Sequence, residues 1–497
     1  MRSTFRPALV LMTGRTLGFA VSFCLPIILV RIFDQAEFGT YKQIFLIYGT
    51  LFGIVQLGMS ESLFYFLPGA VRDGGSYVVN SALVSAAAGL VVLVLLTAAS
   101  ETIAGWMSNP ALAPLIPLLG LFTLLMLAAS GLEIVMTSCN RYGLAAASYA
   151  CSDFARAVLC VLPVLLAPKL GWLLVGAITF ASLRLCAMAW YAWQEFEGSL
   201  RPNLEFLKLQ FIYAAPFTLY VLVHVVQDTL HQYAVSYHFD AATFAIYSVG
   251  CLQVPLVDLI ATSTVNVMMV RMAEEIREGH GNAVVAMWHD TTRKLALVFF
   301  PLVGVMLVTA RDLIVLLFTE AYVASIPIFM VWSSAIAFAA IPMDGLLRVY
   351  AQTRFLLLLN VVRLLVIVAL IHWFLSALQL VGAVLVTVLA LAIGKGLGLL
   401  RMRHFWQVGL ADLLPWRDLL GIGAVALLAG LAAVPVSSSL DVGVLPRLVT
   451  VGLIYTASYL GMAFGFGLVR ESERALLADW FRRLGMGSSR AQELQRS

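Results

Sequence analysis

The sequence predicts an all-α polytopic membrane protein with about 14 transmembrane helices, in two pseudo-symmetric six-helix lobes plus two C-terminal helices. Three observations predict this class. Hydrophobic residues make up 61% of the 497 residues and charged residues only 12%, against about 25% charged in soluble proteins. The apolar residues form long runs that match the ~20 residues of a spanning helix. A nine-residue phrase also occurs twice, which indicates two related halves.

Fourteen apolar runs are long enough to cross a bilayer. Their approximate limits are 8–30, 43–67, 77–99, 114–136, 148–167, 171–193, 209–233, 243–270, 292–310, 325–345, 355–375, 380–400, 418–436 and 446–469. The first run follows a basic N-terminus, as in a signal sequence. Because no small-residue cleavage site ends that run, we interpret it as a retained span.

The basic residues predict the orientation. With both termini cytoplasmic, the inner segments hold 21 of the 31 Lys and Arg, the outer segments hold five, and five lie inside spans. This excess satisfies the positive-inside rule. An odd number of spans would place the Arg-rich tail outside, so the count favours an even number.

The repeated phrase occupies residues 33–41 and 239–247, and both copies read F-D-x-A-x-F-x-x-Y. We interpret it as the trace of an internal duplication. In the predicted topology the copies follow spans 1 and 7 on the outer face, so the repeat unit contains six spans. An even unit keeps both halves in one orientation and predicts a pseudo-two-fold axis along the membrane normal.

The domain organisation follows from this repeat. We predict an N-terminal lobe at 1–200, a C-terminal lobe at 201–405, two accessory spans at 406–470 and a cytoplasmic tail at 471–497. The inner segments 194–208 and 271–291 and the tail segment 470–484 mix aromatic or aliphatic residues with charges. That composition is typical of helices lying on a membrane surface.

Several function classes are disfavoured by composition. The net charge of +4 is spread over loops, which does not indicate nucleic-acid binding. The six cysteines lie in or beside apolar segments and never form C-x-x-C, so we expect neither a disulfide framework nor a metal site. No nucleotide-binding glycine loop is present. We therefore expect no cofactor.

Ionisable residues at membrane depth mark transport pathways. Four arginines inside spans are predicted to bind substrate in a cavity: Arg15, Arg156, Arg184 and Arg363. Each also has a structural interpretation. Arg15 and Arg363 lie near enough to span ends to snorkel, and Arg156 has Asp153 three residues earlier, which favours a neutralised pair. Arg184 has no partner nearby in the sequence.

Span 7 carries a polar stripe. Tyr220, His224, Gln227, Asp228 and His231 recur at spacings that place them along one side of a helix, and His224 and Asp228 can meet. A single membrane histidine is usually structural, but this stripe is hard to place against lipid. We predict a wet cavity wall. Proton coupling is a further hypothesis, because histidine titrates near neutral pH.

Two aspartates lie beside prolines: Asp258 follows Pro255, and Asp344 follows Pro342. Broken helices recur at transporter sites, yet proline is also ordinary in membrane helices. Both residues are candidates for the cavity or for coupling, and the structural interpretation stays open. Two further acids near the inner ends of spans are interpreted as interfacial: Glu61 and Glu133.

The first outer loop and second span carry a family resemblance. Arg31, Glu37, Gly39 and Tyr41, followed by Leu57-Gly58 and the stretch Phe64-Tyr65-Phe66-Leu67-Pro68, resemble the polysaccharide-export flippases. These belong to the multidrug/oligosaccharidyl-lipid/polysaccharide exporter superfamily. The residues that match the family specifically cover about forty positions. The chain length and the number of spans agree with the family over the whole chain.

This resemblance implies two six-helix lobes around a cavity, and the movement of a lipid-linked oligosaccharide from the inner to the outer leaflet. The resemblance assigns no shared catalytic residues to this chain. The implied substrate is an undecaprenyl-pyrophosphate-linked oligosaccharide for exopolysaccharide or O-antigen synthesis. The implied setting is a bacterial inner membrane, with membrane lipid and a polymerase and export machinery as partners. Alternating access, with ion coupling, is the implied mechanism.

Two other functions compete with this one. A cation-coupled multidrug or metabolite antiporter of the same superfamily would share the two-lobe plan and would also use membrane carboxylates such as Asp228. A polysaccharide polymerase or a lipid-linked glycosyltransferase would need a sizeable outer loop with catalytic residues. Every outer segment here is short and lacks clustered carboxylates, so we expect the protein not to be an enzyme.

Overall fold

A computed structural model of the chain describes residues 5–69, 73–196, 200–471 and 473–474. Within these ranges the regular secondary structure is helical and contains no strand. The predicted all-α class is therefore confirmed. Most of the predicted surface helix in the tail, from residue 475 onward, lies outside the described residues.

Nineteen α-helices occur in the described part of the chain. The first nine are α1 Phe5–Leu29, α2 Gln35–Val55, α3 Met59–Phe66, α4 Gly74–Ala98, α5 Ser100–Trp106, α6 Ile116–Ala128, α7 Leu132–Ser138, α8 Tyr142–Leu166 and α9 Leu170–Glu195. The others are α10 Leu204–His238, α11 Ala241–Gly250, α12 Pro255–Arg277, α13 Gly281–Val308, α14 Ala310–Phe318, α15 Ile326–Ser334, α16 Met343–Val349, α17 Thr353–Trp406, α18 Trp416–Ser439 and α19 Val444–Gly465.

The helices account for the predicted number of crossings. Among the described residues, eleven helical segments are long and apolar enough to span a bilayer, and two bent pairs add two more. One of the eleven, α17, breaks at Gln379, whose backbone has φ 54° and ψ −136°. The turn brings Gly382 so close to Phe374 that a Cβ there would collide with its carbonyl oxygen. Counting α17 as two spans gives fourteen.

Several spans are broken where the sequence predicts continuous helices. Span 2 consists of α2 and α3, bent by 44° at a break where Leu57 and Gly58 both have left-handed φ values, 52° and 62°. Span 4 is split into α6 and α7. The single helix predicted over 243–270 is wrong, because α11 ends at Gly250 and α12 begins at Pro255. Proline has no N–H to donate, so it suits the first turn of a new helix.

The predicted tenth span is also interrupted. Over 325–345 the chain forms α15, a 3₁₀ segment Ala335–Ala340 and the start of α16. Pro342 precedes α16, which again matches the tolerance of proline at a helix start. The predicted crossing is present, within Glu320–Val349, but it is not one regular helix.

Two compact units make up the molecule. The first comprises Met1–Pro255, Leu317–Trp332 and Gln352–Gly396, and the second comprises Leu256–Leu316, Ser333–Ala351 and Leu397–Ser497. In the second unit α13, α18 and α19 pack around the buried Tyr455 and Tyr459. The predicted lobe boundaries at residues 200 and 405 stay a prediction.

Both copies of the repeated phrase begin a helix in the same way. Asp34 caps α2, where its Oδ1 accepts a hydrogen bond from the backbone N–H of Glu37 at 2.8 Å. Asp240 caps α11 and accepts from the N–H of Thr243 at 3.0 Å. A carboxylate at this position satisfies helix N–H groups that lack an intrahelical acceptor. The two copies of the phrase therefore share local structure as well as sequence.

The two copies also contact each other within the first unit. Phe38 and Phe244, which occupy the same position of the phrase, are both fully buried. Helices α2 and α11 pack so closely that a Cβ at Gly39 would collide with the carbonyl oxygen of Ala241. Small residues allow such close helix packing in membranes.

Candidate functional site: an arginine cavity in the first unit

Four helices of the first unit, α1, α6, α8 and α9, line an open cavity of about 360 Å³. Its polar lining residues are Arg15, Tyr149, Ser152, Asp153, Arg156 and Arg184. Three of the four arginines that the sequence predicts for a cavity thus lie together. Arg363, on α17, does not line it.

Glycines on α1 allow it to approach α8. A Cβ at Gly14 would collide with the backbone of Ala146, and a Cβ at Gly18 would collide with the carboxylate of Asp153. Arg15, which lies between these two glycines in the sequence, lines the cavity. This close contact explains how residues 131 or 134 positions apart in sequence come to share one site.

Arg15 faces an aromatic side chain instead of an acid. Its Nη2 donates a hydrogen bond to Oη of Tyr149 at 3.0 Å, and its guanidinium lies 4.9 Å from the centre of that ring. A cation over an aromatic face is stabilised without being neutralised. Within the described part of the chain, no carboxylate pairs with Arg15, so its charge is available to a ligand.

Arg156 forms the local pair that its spacing indicates. Its Nη2 donates to Oδ1 of Asp153 at 2.7 Å and to Oγ of Ser22 at 2.6 Å. Ser22 also donates to Asp153 at 3.3 Å, so α1 and α8 are joined by a three-residue network. Arg156 therefore contributes less free charge than Arg15.

Arg184 has a partner that the sequence does not indicate. Its Nη1 and Nη2 donate to the two carboxylate oxygens of Glu133 at 2.8 and 2.5 Å, and Nη1 donates to Ser152 at 3.0 Å. Glu133 also accepts from Ser148 at 2.9 Å. The interpretation of Glu133 as interfacial is wrong, since its side chain is only 3% exposed. It is the buried counterion of Arg184.

The charges of the site do not cancel. Three guanidinium groups meet two carboxylates, so one positive charge is left over, and the geometry places it at Arg15. Arg15 is exposed, so an anion can reach this charge. The cavity can therefore hold an anionic group near Arg15.

Sequence comparison finds a similar family for the N-terminal half of the chain. The family model described as polysaccharide biosynthesis protein matches residues 5–250, a range that contains the whole arginine cavity. About half of the chain is therefore similar to this family. No curated protein sequence matches the chain.

Solved structures share the fold of this chain. The lipid II flippase MurJ in an inward closed conformation is 14% identical, with a TM-score of 0.68 over 93% of this chain and 99% of that chain. An inward-facing multidrug resistance MATE transporter of the MOP superfamily is 14% identical, with a TM-score of 0.60 over 79% and 94%. A MOP superfamily transporter from Pyrococcus furiosus has a TM-score of 0.55 at 14% identity, over 81% and 95%. The chain is a multi-pass membrane protein with the MurJ/MATE fold.

The polar residues predicted to form one stripe on α10 lie in two different environments. His224 Nε2 lies 3.4 Å from Oδ2 of Asp228, and both side chains are about half exposed. His231 is fully buried, hydrogen-bonded through Nδ1 to Oη of Tyr247 at 2.5 Å and packed against Trp332. Gln227 is buried too. The prediction of one continuous wet wall is therefore wrong for Gln227 and His231, because neighbouring elements cover that end of the helix.

Asp258 and Asp344 lie in the second unit. Each is exposed and occupies the first turn of its helix, α12 or α16. An acid there complements the helix dipole, which is a sufficient structural reason for both. Arg363 in the first unit packs beside Gly394, where a Cβ would come within 2.6 Å of its Cδ. The cavity or coupling roles of these three residues stay predictions.

Proposed function

We propose that the protein flips an undecaprenyl-pyrophosphate-linked oligosaccharide from the inner to the outer leaflet of a bacterial inner membrane, for exopolysaccharide or O-antigen synthesis. The observation that carries the proposal is the surplus positive charge of the arginine cavity within a membrane-spanning bundle. The similarity of residues 5–250 to the polysaccharide biosynthesis family and a fold shared with a lipid II flippase support it.

Physical chemistry explains why such a substrate needs such a site. A pyrophosphate cannot cross hydrocarbon unaided, because burying an unpaired charge is very costly. Arginine holds phosphate oxygens through several N–H donors and stays charged when desolvated. A cavity of about 360 Å³ is at the lower end of ligand sites, which span ~300–1,000 Å³. It suits the pyrophosphate and the adjoining sugar, with the polyprenyl tail left in lipid.

Transport of purified protein tests the proposal directly. In proteoliposomes containing a fluorescent undecaprenyl-pyrophosphate oligosaccharide, the wild type is expected to move label between leaflets. Arg15→Ala is expected to lower that rate at least tenfold, on the scale of one lost charge-assisted contact. The exposed Arg417 provides a matched control, Arg417→Ala, with an unchanged rate. Wild-type protein that moves no label would overturn the proposal.

Deletion of the gene tests the same proposal in cells. Lipid-linked repeat units are expected to accumulate on the inner leaflet, with polymer missing from the surface. A polymerase and export machinery would act on the flipped product, so genes for them and for glycosyltransferases are expected nearby. Normal surface polymer together with new drug sensitivity would contradict the flippase function.

A second candidate function is a cation-coupled multidrug or metabolite antiporter. One observation favours it: the half-exposed pair of His224 and Asp228 combines a titratable ring with a carboxylate, in a fold shared with a multidrug transporter. Drug efflux by proteoliposomes under an imposed cation gradient separates the two functions. Efflux without movement of the lipid-linked oligosaccharide would support the antiporter.

A further inference from the structure

Two histidine rings lie side by side in the first unit. His238 is the last residue of α10, and His372 lies on α17 shortly before its break at Gln379. Their ring centres are 5.7 Å apart, with an angle of 45° between the ring planes. Both side chains are exposed. In the predicted orientation these positions are the outer ends of spans 7 and 11.

The separation of the two rings fits a shared metal ion. Two imidazoles bound to one tetrahedral ion, each at a Zn–N distance of about 2.0–2.1 Å, have ring centres about 5 Å apart. The 5.7 Å between the centres of His238 and His372 is close to that value. Because both side chains are exposed, a small rotation of either one brings the two rings to the distance that a shared ion requires.

A hydrogen bond fixes which nitrogen of His238 can bind a metal. Its Nδ1 lies 2.8 Å from the backbone oxygen of Ala234. A carbonyl oxygen only accepts hydrogen bonds, so Nδ1 carries the proton and donates it. The neutral ring then has its lone pair on Nε2. Metal-binding histidines usually have this arrangement, in which the other ring nitrogen donates to a carbonyl or carboxylate oxygen.

The end of α10 is held in place and favours a cation. Ser108 donates through Oγ to the backbone oxygen of Tyr237 at 2.8 Å. The ring of Tyr237 packs edge-to-face against that of His238, with 5.1 Å between the ring centres. Because α10 ends at His238, the negative end of the helix dipole lies beside this ring and stabilises positive charge there.

We propose that His238 and His372 bind a transition-metal ion such as Zn²⁺, which joins the outer ends of α10 and α17. Imidazole nitrogen suits Zn²⁺, Cu²⁺ and Ni²⁺, whereas Mg²⁺ and Ca²⁺ prefer oxygen ligands. In the described part of the chain, no third His, Cys, Asp or Glu side chain groups with this pair, so water supplies the remaining ligands. Neither histidine lines the arginine cavity, so this site is distinct from it.

Zinc titration of the purified full-length protein, without a polyhistidine tag, tests the site. The wild type is expected to bind Zn²⁺ in calorimetry. His238→Ala and His372→Ala are each expected to weaken this binding at least about tenfold, because only one imidazole ligand is left. His404→Ala, at an exposed histidine near the other end of α17, is the matched control and is expected to bind zinc like the wild type. Equal zinc affinity in His238→Ala and the wild type would overturn the inference.

Electron paramagnetic resonance with an equimolar amount of Cu²⁺ identifies the ligands. The wild type is expected to show nitrogen splitting from two imidazoles, and either alanine variant is expected to lose it. Glu275, Glu278 and His280 in the second unit also bring possible ligand atoms within 4.8 Å of one another. His280→Ala is therefore included and is expected to keep the two-nitrogen signal. Loss of that signal in His280→Ala but not in His238→Ala would refute the proposed site.

Discussion

Arg184 and Glu133 form a two-bond ion pair, although 51 residues separate them in the sequence. The pair joins α9 to the short helix α7, just after the break in the fourth span. Both side chains are largely buried, with 12% and 3% of their surfaces exposed. A paired arginine and glutamate of this kind fix the shape of the cavity wall more than they supply net charge.

Breaking this pair is expected to destabilise the protein. Glu133→Gln leaves Arg184 as a buried, unpaired charge, which costs about 3–5 kcal/mol, while an apolar double replacement is nearly neutral. Chemical unfolding in detergent is expected to show the full loss for Glu133→Gln and a much smaller one for Glu133→Leu combined with Arg184→Met. A double variant as unstable as the single one would contradict this account.

Gly18→Ala is expected to disturb the cavity at the contact between α1 and α8. The added Cβ would collide with the carboxylate of Asp153, displacing it from Ser22 and Arg156. Overpacking of this kind costs about 1–3 kcal/mol, and the flipping rate is expected to fall. Gly49→Ala is the matched control, because a Cβ at Gly49 meets nothing within 4 Å. Equal rates and stabilities for the two variants would rule out the packing explanation.

The cap at Asp240 is expected to make stability depend on pH. Hydrogen bonds from Thr243 lower the pKa of the Asp240 carboxyl below its ordinary value. A lowered folded-state pKa means that the stabilisation is present at neutral pH and is lost as the pH falls through that pKa. Asp240→Ala is expected to cost about 1 kcal/mol near neutral pH.

Thermal unfolding at decreasing pH measures this effect. Asp240→Asn keeps the capping oxygen but cannot titrate, so it is expected to lose less stability than the wild type on acidification. The difference between wild type and Asp240→Ala is expected to shrink in acid. A difference that stays constant with pH would contradict the capping role.

Asp228→Asn is expected to slow transport several-fold without lowering the amount of protein in the membrane. The substitution removes the charge that faces His224 at 3.4 Å while keeping the shape of the side chain. Glu101→Gln, at an exposed acid on α5, is a control with an expected normal rate. Full activity of Asp228→Asn would remove this residue from the pathway and leave the fold untouched.

The sequence predicts local relationships well. Asp153 and Arg156 lie one helical turn apart, so their pairing follows from helix geometry. The pair of Glu133 and Arg184 depends on how three helices pack, which no spacing in the sequence reveals. The signal that could have found it is the requirement that a mid-span arginine have a counterion.

Burial and helix breaks were harder to predict. His224 and His231 lie on one face of α10, but only His231 is covered by α11 and its neighbours. The spacing of polar residues shows which side of a helix they share. It does not show which neighbouring helices cover that side along its length. The break at Leu57 requires a non-glycine residue with left-handed φ, which local propensity disfavours and tertiary packing imposes.

The contact between Gly39 and Ala241 joins different positions of the repeated phrase. Ala241 corresponds to Gln35 of the first copy, and Gly39 corresponds to Ala245 of the second. In a two-fold dimer, residue i of one subunit meets residue j of the other, and j meets i. A half-length ancestor that paired with itself would have made this contact twice. In one polypeptide each side of the contact can change alone, and Gly39 and Ala245 do differ in this chain.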